Sequence, residues 1–174
     1  MRQPAPSHIA YIDYLHKLSE RENGRQRVAF AALRAGLTNP PESVQMAPYV
    51  EKWVKGARGW WRDCYYMVGA LYTLQPAIIN EGNLGDHLRL LKCPDNTAID
   101  KRITRLLKAD RSTVYPEVRS SISILASAEL PINWVQLLSH MIGWNHPSRY
   151  VQKQWSRCYY SQTIISNNPK EHIQ

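Results

Sequence analysis

The segment IDKRITRLLKA, residues 99–109, decides the fold class. Placed at 100° per residue, it brings four apolar side chains to one side of a helix: Ile99, Ile103, Leu106 and Leu107. Three cations share the opposite side, and a fourth lies on the flank: Lys101, Arg105 and Lys108, with Arg102. A solvated helix face normally mixes charges of both signs, because oppositely charged neighbours stabilise it. The segment therefore predicts a core-facing helix with a positive outer face.

The same helical period recurs along the whole chain of 174 residues and predicts an all-α fold, a helical bundle. Ser7 is the expected N-cap of a first helix with Ile9, Ile12, Leu15 and Leu18 on one apolar stripe. Further helices are expected at 25–35, 49–55, 60–74, 84–91, 97–109, 113–128, 132–144 and 149–161. Pro131 is expected to open the second-last helix and Ser148 to cap the last. The loop at 93–96 suggests two small helical lobes, 1–95 and 96–165, followed by a flexible tail, 166–174.

The charge distribution indicates a polyanionic partner. Lys and Arg total 22 against 14 acids, giving a net charge of +8, and no acid occurs between Glu129 and Glu171. The predicted last helix lies in this interval, with Arg149, Lys153 and Arg157 at i, i+4 and i+8, opposite an apolar face. Two helices with this pattern favour nucleic acid, whose phosphates are neutralised by Lys and Arg. The alternative is a helical adaptor whose basic faces bind acidic protein partners.

Two further basic groups lie in the N-terminal half. Arg27 and Arg34 are seven residues apart and share a helical stripe. The second group is interleaved with tryptophans, an arrangement that can follow a nucleic-acid backbone and stack its bases: Lys52, Lys55, Arg58 and Arg62, with Trp53, Trp60 and Trp61. Trp60 and Trp61 are expected to anchor the core, whereas Trp53 could serve either role. No helix-turn-helix or other base-reading motif is recognisable, which favours backbone binding without sequence readout.

Catalytic signals are weak. The six histidines form no HxxxH or HExxH pattern, and no Walker loop or GxGxxG is present. The acids do not cluster for a metal, and the three cysteines form no CxxC. Cys64 and Cys158 are expected to be small core residues, and a Cys158–His140 nucleophile pair is a remote alternative. We therefore expect a non-catalytic, cytoplasmic protein that needs no cofactor or metal and has no membrane partner.

Four segments, in order and spacing, resemble CasB, the small subunit of the type I-E CRISPR complex called Cascade. The run Lys101–Arg111 resembles a hallmark segment of that family. Gly24–Arg34 resembles its N-terminal basic helix, Ile132–Trp144 its tryptophan-bounded helix, and Val151–Tyr159 its closing helix.

The resemblance implies an all-helical fold of two small bundles. It implies two copies stacked head to tail inside a crRNA-guided complex with other Cascade subunits. The basic faces would hold crRNA and target DNA, including the displaced single strand, and so stabilise the R-loop. Ten residues are the expected phosphate contacts: Arg27, Arg34, Arg58, Arg102, Arg105, Lys108, Arg111, Arg119, Arg149 and Lys153.

Overall fold

The computed structural model describes residues 5–38, 44–93 and 97–161. Within these ranges the chain forms nine α-helices and one 3-10 turn, and no strand. The helices are α1 (Pro6–Ser19), α2 (Gly24–Ala35), α3 (Ala47–Val50), α4 (Trp60–Tyr72), α5 (Leu84–Arg89), α6 (Ala98–Lys108), α7 (Val114–Ser127), α8 (Trp134–Ile142) and α9 (Tyr150–Tyr160). The 3-10 turn, Glu51–Trp53, follows α3 directly. The all-α prediction is confirmed.

Helix α4 lies at the centre of the core. Every residue from Cys64 to Tyr72 is buried. It packs against α8 and α2, while α1 packs against α2 and α8. Asp63 is the only carboxylate on the helix, so nearly its whole circumference can be covered by apolar neighbours.

Three fully buried tryptophans in the second half of the chain each tie a helix or turn to another segment of the protein. Their indole N–H groups all find acceptors, as buried polar groups must. Trp134 donates to the Gln75 carbonyl at 3.0 Å, and Trp144 to the Ala109 carbonyl at 3.1 Å. Trp155 donates to His140 Nδ1 at 2.7 Å. Each ring therefore fills the core and also fixes one neighbouring segment.

Helices from both sides of residue 95 pack on one another. The pair α5 and α9 and the pair α4 and α8 share the most extensive contacts, and the buried residues form one cluster. Division into lobes at 1–95 and 96–165 stays a prediction. The expected tail, 166–174, and most of the 93–96 loop lie outside the described residues.

Three local predictions about helix ends were wrong. Helix α1 begins at Pro6, whose fixed φ suits the first turn, so Ser7 lies inside the helix instead of capping it. Helix α8 begins at Trp134, two residues later than expected, because Ile132 pairs with Ile78 in an isolated bridge. The N-cap of α9 is Arg149 in the left-handed region, while Ser148 bonds to His146.

Ile9 does not belong to the buried stripe of α1, because its side chain is 46% exposed. A spacing of exactly three drifts away from the helical period of 3.6, so the buried face runs through Tyr11, Ile12, Leu15 and Leu18 instead. None of the helices in the described ranges is both long enough and apolar enough to span a membrane.

Candidate nucleic-acid interface

Helices α6 and α9 lie side by side and run in opposite directions. Near the start of α6, the Asp100 carboxylate accepts a hydrogen bond from the Tyr159 hydroxyl at 2.8 Å, close to the end of α9. At the other end of α6, the Leu107 carbonyl accepts a hydrogen bond from the guanidinium of Arg149, the residue directly before α9. These two contacts mark the stripe of α6 that faces α9, since residues seven apart lie on the same side of a helix.

The cations of both helices lie on the solvent side of this pair. Lys101 and Lys108 each follow a residue of the α9-facing stripe by one position, so each lies about 100° around the helix from that stripe. Both are exposed, as are Arg149, Lys153 and Arg157 on α9, while Ile103, Leu106, Val151 and Trp155 point into the core. We call Lys101, Lys108, Arg149, Lys153 and Arg157 the α6–α9 basic face.

Carboxylates border this face at its ends. Asp100 is engaged by Tyr159 and lies 3.8 Å from Lys92 Nζ. Asp110 accepts hydrogen bonds from Ser112 and Thr113, which lower the pKa of its carboxyl. Across the described ranges, none of the five cations of the α6–α9 basic face forms an ion pair. Their charge is therefore available to a polyanion.

Besides Arg149, whose guanidinium donates to the Leu107 carbonyl, four of the predicted contact residues are engaged within the protein. Arg102 is half-buried and donates to the Ser120 hydroxyl, and burial, followed by the nearby Arg105, lowers the pKa of its guanidinium. Arg105 Nε lies 3.6 Å from a Glu117 carboxylate oxygen. Arg119 donates to the Leu37 carbonyl. These side chains connect α6 to α7, and α7 to the segment after α2.

Arg111 is the fourth engaged residue. Its guanidinium lies 3.0 Å from an Asp63 carboxylate oxygen and 5.3 Å from the centre of the Trp60 ring. Trp60 is half-buried and donates to the Met141 carbonyl at 2.7 Å. Trp61, the second residue of α4, is 48% exposed, so the expectation that it anchors the core was wrong.

The three N-terminal candidates belong to other elements of the fold. Arg27 and Arg34 are exposed on α2, which packs against α1 and α4, whereas α6 packs against α7 and α9. Arg58 is exposed in the turn before α4. The ten predicted residues therefore fall on at least two surfaces, and their role as phosphate contacts stays a prediction.

Three further cations lie on or near the α6–α9 basic face, although they were not among the ten predicted phosphate contacts. Lys101 and Arg157 share the helical stripes of Lys108 and Lys153, so spacing alone could have included them. Lys92 lies over the rings of Tyr159 and Tyr160, with its Nζ 5.1 and 5.4 Å from their centres. Its position depends on the packing of α5 against α9, for which the sequence carries no local signal.

The groups considered for nucleophilic chemistry are held in other contacts. Both ring nitrogens of His140 have neighbours, and burial lowers the pKa of the ring to about 4. Cys158 Sγ accepts from Asn83 Nδ2 at 3.0 Å, and burial raises the pKa of its thiol. Cys64 is buried as expected, whereas Cys158 is half-exposed. In the part of the chain that is described, no three potential metal ligands come together.

The fold and this surface define an all-helical protein with a basic face built on two antiparallel helices. The chain belongs to the CRISPR-associated protein Cse2 family, whose family model matches residues 29–160. The resemblance to CasB is thereby confirmed.

Relatives match over nearly the full length. The chain is 28% identical over 169 residues to the CRISPR-associated protein Cse2 of Thermus thermophilus, covering 94% of this chain and 96% of that protein. CasB from Thermus thermophilus superposes with a TM-score of 0.77 at 28% identity, over 90% of this chain and 98% of that one. A chain of a CRISPR RNA-guided surveillance complex has the same fold, with a TM-score of 0.75 at 22% identity over 88% and 91%.

Proposed function

We propose that this protein is a non-catalytic, cytoplasmic subunit of a crRNA-guided Cascade surveillance complex. In this proposal its basic faces bind the backbones of crRNA and target DNA, including the displaced strand, and stabilise the R-loop. The observation that carries the proposal is the α6–α9 basic face: five exposed cations with no ion pair in the described ranges, on a protein of net charge +8.

The dimensions of this face suit a nucleic-acid strand. Lys101 and Lys108 are about 10 Å apart along α6, and Arg149 and Arg157 about 12 Å apart along α9, at 1.5 Å per residue. One strand of a duplex carries a phosphate every 3.4 Å of axis. Each row of cations therefore spans about three phosphate spacings, and the five cations together can offer a strand one contact each without distinguishing its bases.

Backbone contacts of this kind can decide whether an R-loop persists. The RNA–DNA hybrid that forms is about as stable as the DNA duplex it replaces. A small free-energy contribution from protein contacts can therefore shift the equilibrium toward the R-loop. Other Cascade subunits and a second copy of this chain are the further partners in the proposal. Membership of the Cse2 family supports them, as does the likeness to a chain of a surveillance complex.

A salt titration tests the proposal. With single-stranded DNA, each phosphate contact contributes about 0.7 to the log–log slope, so five contacts predict a slope of about −3.5. Replacing Lys101, Lys108 and Lys153 by Ala should reduce the slope by about 2 without unfolding the protein, because all three side chains are exposed.

The matched control replaces Lys17, Arg21 and Arg25 by Ala, which removes the same charge from exposed positions outside α6 and α9. The proposal fails if both triple variants change the slope equally, or if the wild type shows no salt dependence. If this protein does not bind nucleic acid but does bind an acidic protein, the result would support the alternative function as an adaptor. Co-purification of the tagged chain with crRNA from cells tests membership of the complex.

A further inference from the structure

Two exposed tyrosines lie on the same side of α9 as its cations. At 100° per residue, four exposed residues fall within about 80° of the helix circumference. They are Tyr150, Lys153, Arg157 and Tyr160, and the buried Trp155 points to the opposite side. We call these four residues the α9 stripe. Along the helix it presents an aromatic ring, two cations and a second aromatic ring.

The exposure of these two rings sets them apart from the other tyrosines of the chain. Tyr150 is 42% exposed and Tyr160 is 51% exposed, whereas the other eight tyrosines are buried or half-buried. A single exposed apolar side chain is ordinary. Two exposed rings on either side of cations that form no ion pair in the described ranges are the arrangement that binds single strands: rings stack on bases while cations hold the phosphates.

The ring of Tyr150 is held in place by the turn before α9. It packs against the His146 ring with the two centres 5.3 Å apart and the planes at 75°. Gly143 leaves room for the hydroxyl end of the ring, since a methyl group there would overlap it. An edge-to-face contact of this kind covers at most one face of a ring, so the other face stays open to a base.

The ring of Tyr160 is supported in a similar way. Its centre lies 4.9 Å from that of Tyr159, with the planes at 89°. Tyr159 is itself buried and donates to Asp100 at 2.8 Å, so the support is fixed. Lys92 adds a positive charge 5.4 Å from the centre of the Tyr160 ring. Both rings of the α9 stripe are therefore oriented in advance, which lowers the cost of ordering them on binding.

We propose that the α9 stripe binds an unpaired strand of nucleic acid, with one base stacked on Tyr150, a second base stacked on Tyr160, and the phosphates between them at Lys153 and Arg157. This rests on the proposed function, because both cations belong to the α6–α9 basic face. The tyrosines are about 15 Å apart along the helix axis. That distance corresponds to about four phosphate spacings of 3.4 Å.

The α9 stripe thereby distinguishes unpaired from paired nucleic acid. Inside a duplex both faces of each base are covered by neighbouring bases, whereas a base of an unpaired strand can turn onto a tyrosine ring. Every base has a π-face, so stacking of this kind has no strong sequence preference. The inference therefore concerns the state of the strand and not its sequence.

The test compares a short deoxythymidine homopolymer with a fully abasic strand of equal length, both binding to the full-length protein in a fluorescence anisotropy assay. The two strands carry the same phosphates, so the cations contact both alike. One stacked base contributes at least about fivefold in affinity, so the wild type should bind the homopolymer about 25-fold more tightly than the abasic strand. Tyr150→Ala and Tyr160→Ala should each reduce this ratio about fivefold, and the double variant should bring it to about one.

Three controls accompany these variants. Tyr150→Phe and Tyr160→Phe keep the rings and should keep the ratio. Trp61→Ala removes an exposed ring from α4 and should also leave the ratio unchanged. A duplex of the same length should bind equally to the wild type and to the double alanine variant, because its bases are covered.

The outcomes separate this inference from the proposed function. Equal binding of both strands by the wild type, with a steep salt dependence, overturns stacking and leaves the proposed function standing. Failure of both strands to bind overturns both. Loss of the ratio in the phenylalanine variants, or an equal loss in Trp61→Ala, overturns stacking at the α9 stripe. If the double alanine variant keeps the ratio but no longer co-purifies with other Cascade subunits, the tyrosines contact protein and the inference is overturned.

A second measurement needs no variant. Ultraviolet irradiation of the wild-type protein bound to a strand containing 5-iododeoxyuridine should attach that base to the aromatic rings it stacks on. Mass spectrometry of the digested protein should then find the adducts on Tyr150 and Tyr160. Adducts confined to other residues would refute the proposed position of the bases.

Discussion

His140 makes stability depend on pH in a defined direction. The ring is 4% exposed, and its Nδ1 accepts the Trp155 indole N–H at 2.7 Å. The neutral ring therefore carries its proton on Nε2, beside the Gln136 amide. Protonation would place a charge in the core and turn Nδ1 into a donor facing another donor. Burial accordingly lowers the pKa of His140 from 6.5 to about 4.

A lowered histidine pKa stabilises the fold above pH 6.5 and loses that contribution as the pH falls toward 4, because the unfolded chain then binds the proton first. Between pH 7.5 and pH 5.0, with pKa values of 6.5 unfolded and about 4 folded, the free energy of unfolding should fall by about 2 kcal/mol from this group alone. For a chain of this size that corresponds to about 4–8 °C in melting temperature.

The assay is urea denaturation of the wild type and of His140→Gln at both pH values. Glutamine keeps an acceptor for Trp155 but does not titrate, so the variant should lose about 2 kcal/mol less than the wild type on acidification. Burial also lowers the pKa of His8 and His87, and both proteins share those contributions, which cancel in the comparison. Identical pH dependence in the two proteins would refute the assignment of a buried, neutral His140.

Two further predictions concern packing and access. Gly85→Ala would place a methyl carbon 2.2 Å from the Trp155 carbonyl oxygen and should destabilise the protein by about 2–3 kcal/mol in urea denaturation. Gly24→Ala is the control, because Gly24 has open space around it, and should change the stability by under about 1 kcal/mol. Equal effects of the two substitutions would contradict the close approach of α5 to α9. Cys93 is exposed and should react with a thiol reagent at once in native protein. Cys64 is buried, which raises the pKa of its thiol, and should react only when the protein unfolds. Fast labelling of Cys64 in native protein would show that the core around α4 is accessible to the reagent.

The sequence was a good guide wherever one face of one helix determined the outcome. The stripe of α6 is an example, since Ile103 and Leu106 are buried and Lys101 and Lys108 are exposed as their spacing predicts. The opposite faces of α9 follow the same rule. When one side of a helix contacts the core, the helical period determines whether each of its residues is buried or exposed. This can be predicted without knowing which other helices pack against it.

The sequence could not show which cations are free. Arg105 and Lys108 look equivalent on the α6 wheel, yet Glu117 on α7 engages only Arg105. Arg111 meets Asp63, 48 residues earlier in the chain. Ion pairs of this kind depend on how helices pack, and sequence spacing within one helix carries no information about them. For the same reason the bridge between Ile78 and Ile132 displaced the expected start of α8.

The core also fixes the position of the basic face. Trp144 reaches from the turn before α9 to the Ala109 carbonyl at the end of α6, and Gln152 of α9 bonds back to the Trp144 carbonyl. This chain of buried hydrogen bonds holds the two helix ends together from inside, while Arg149 and Leu107 join them at the surface. Binding to a face that is already ordered avoids the free-energy cost of arranging its backbone at the moment of contact. In the proposed function, five cations are thus presented together to a polyanion by a pair of helices that these hydrogen bonds join.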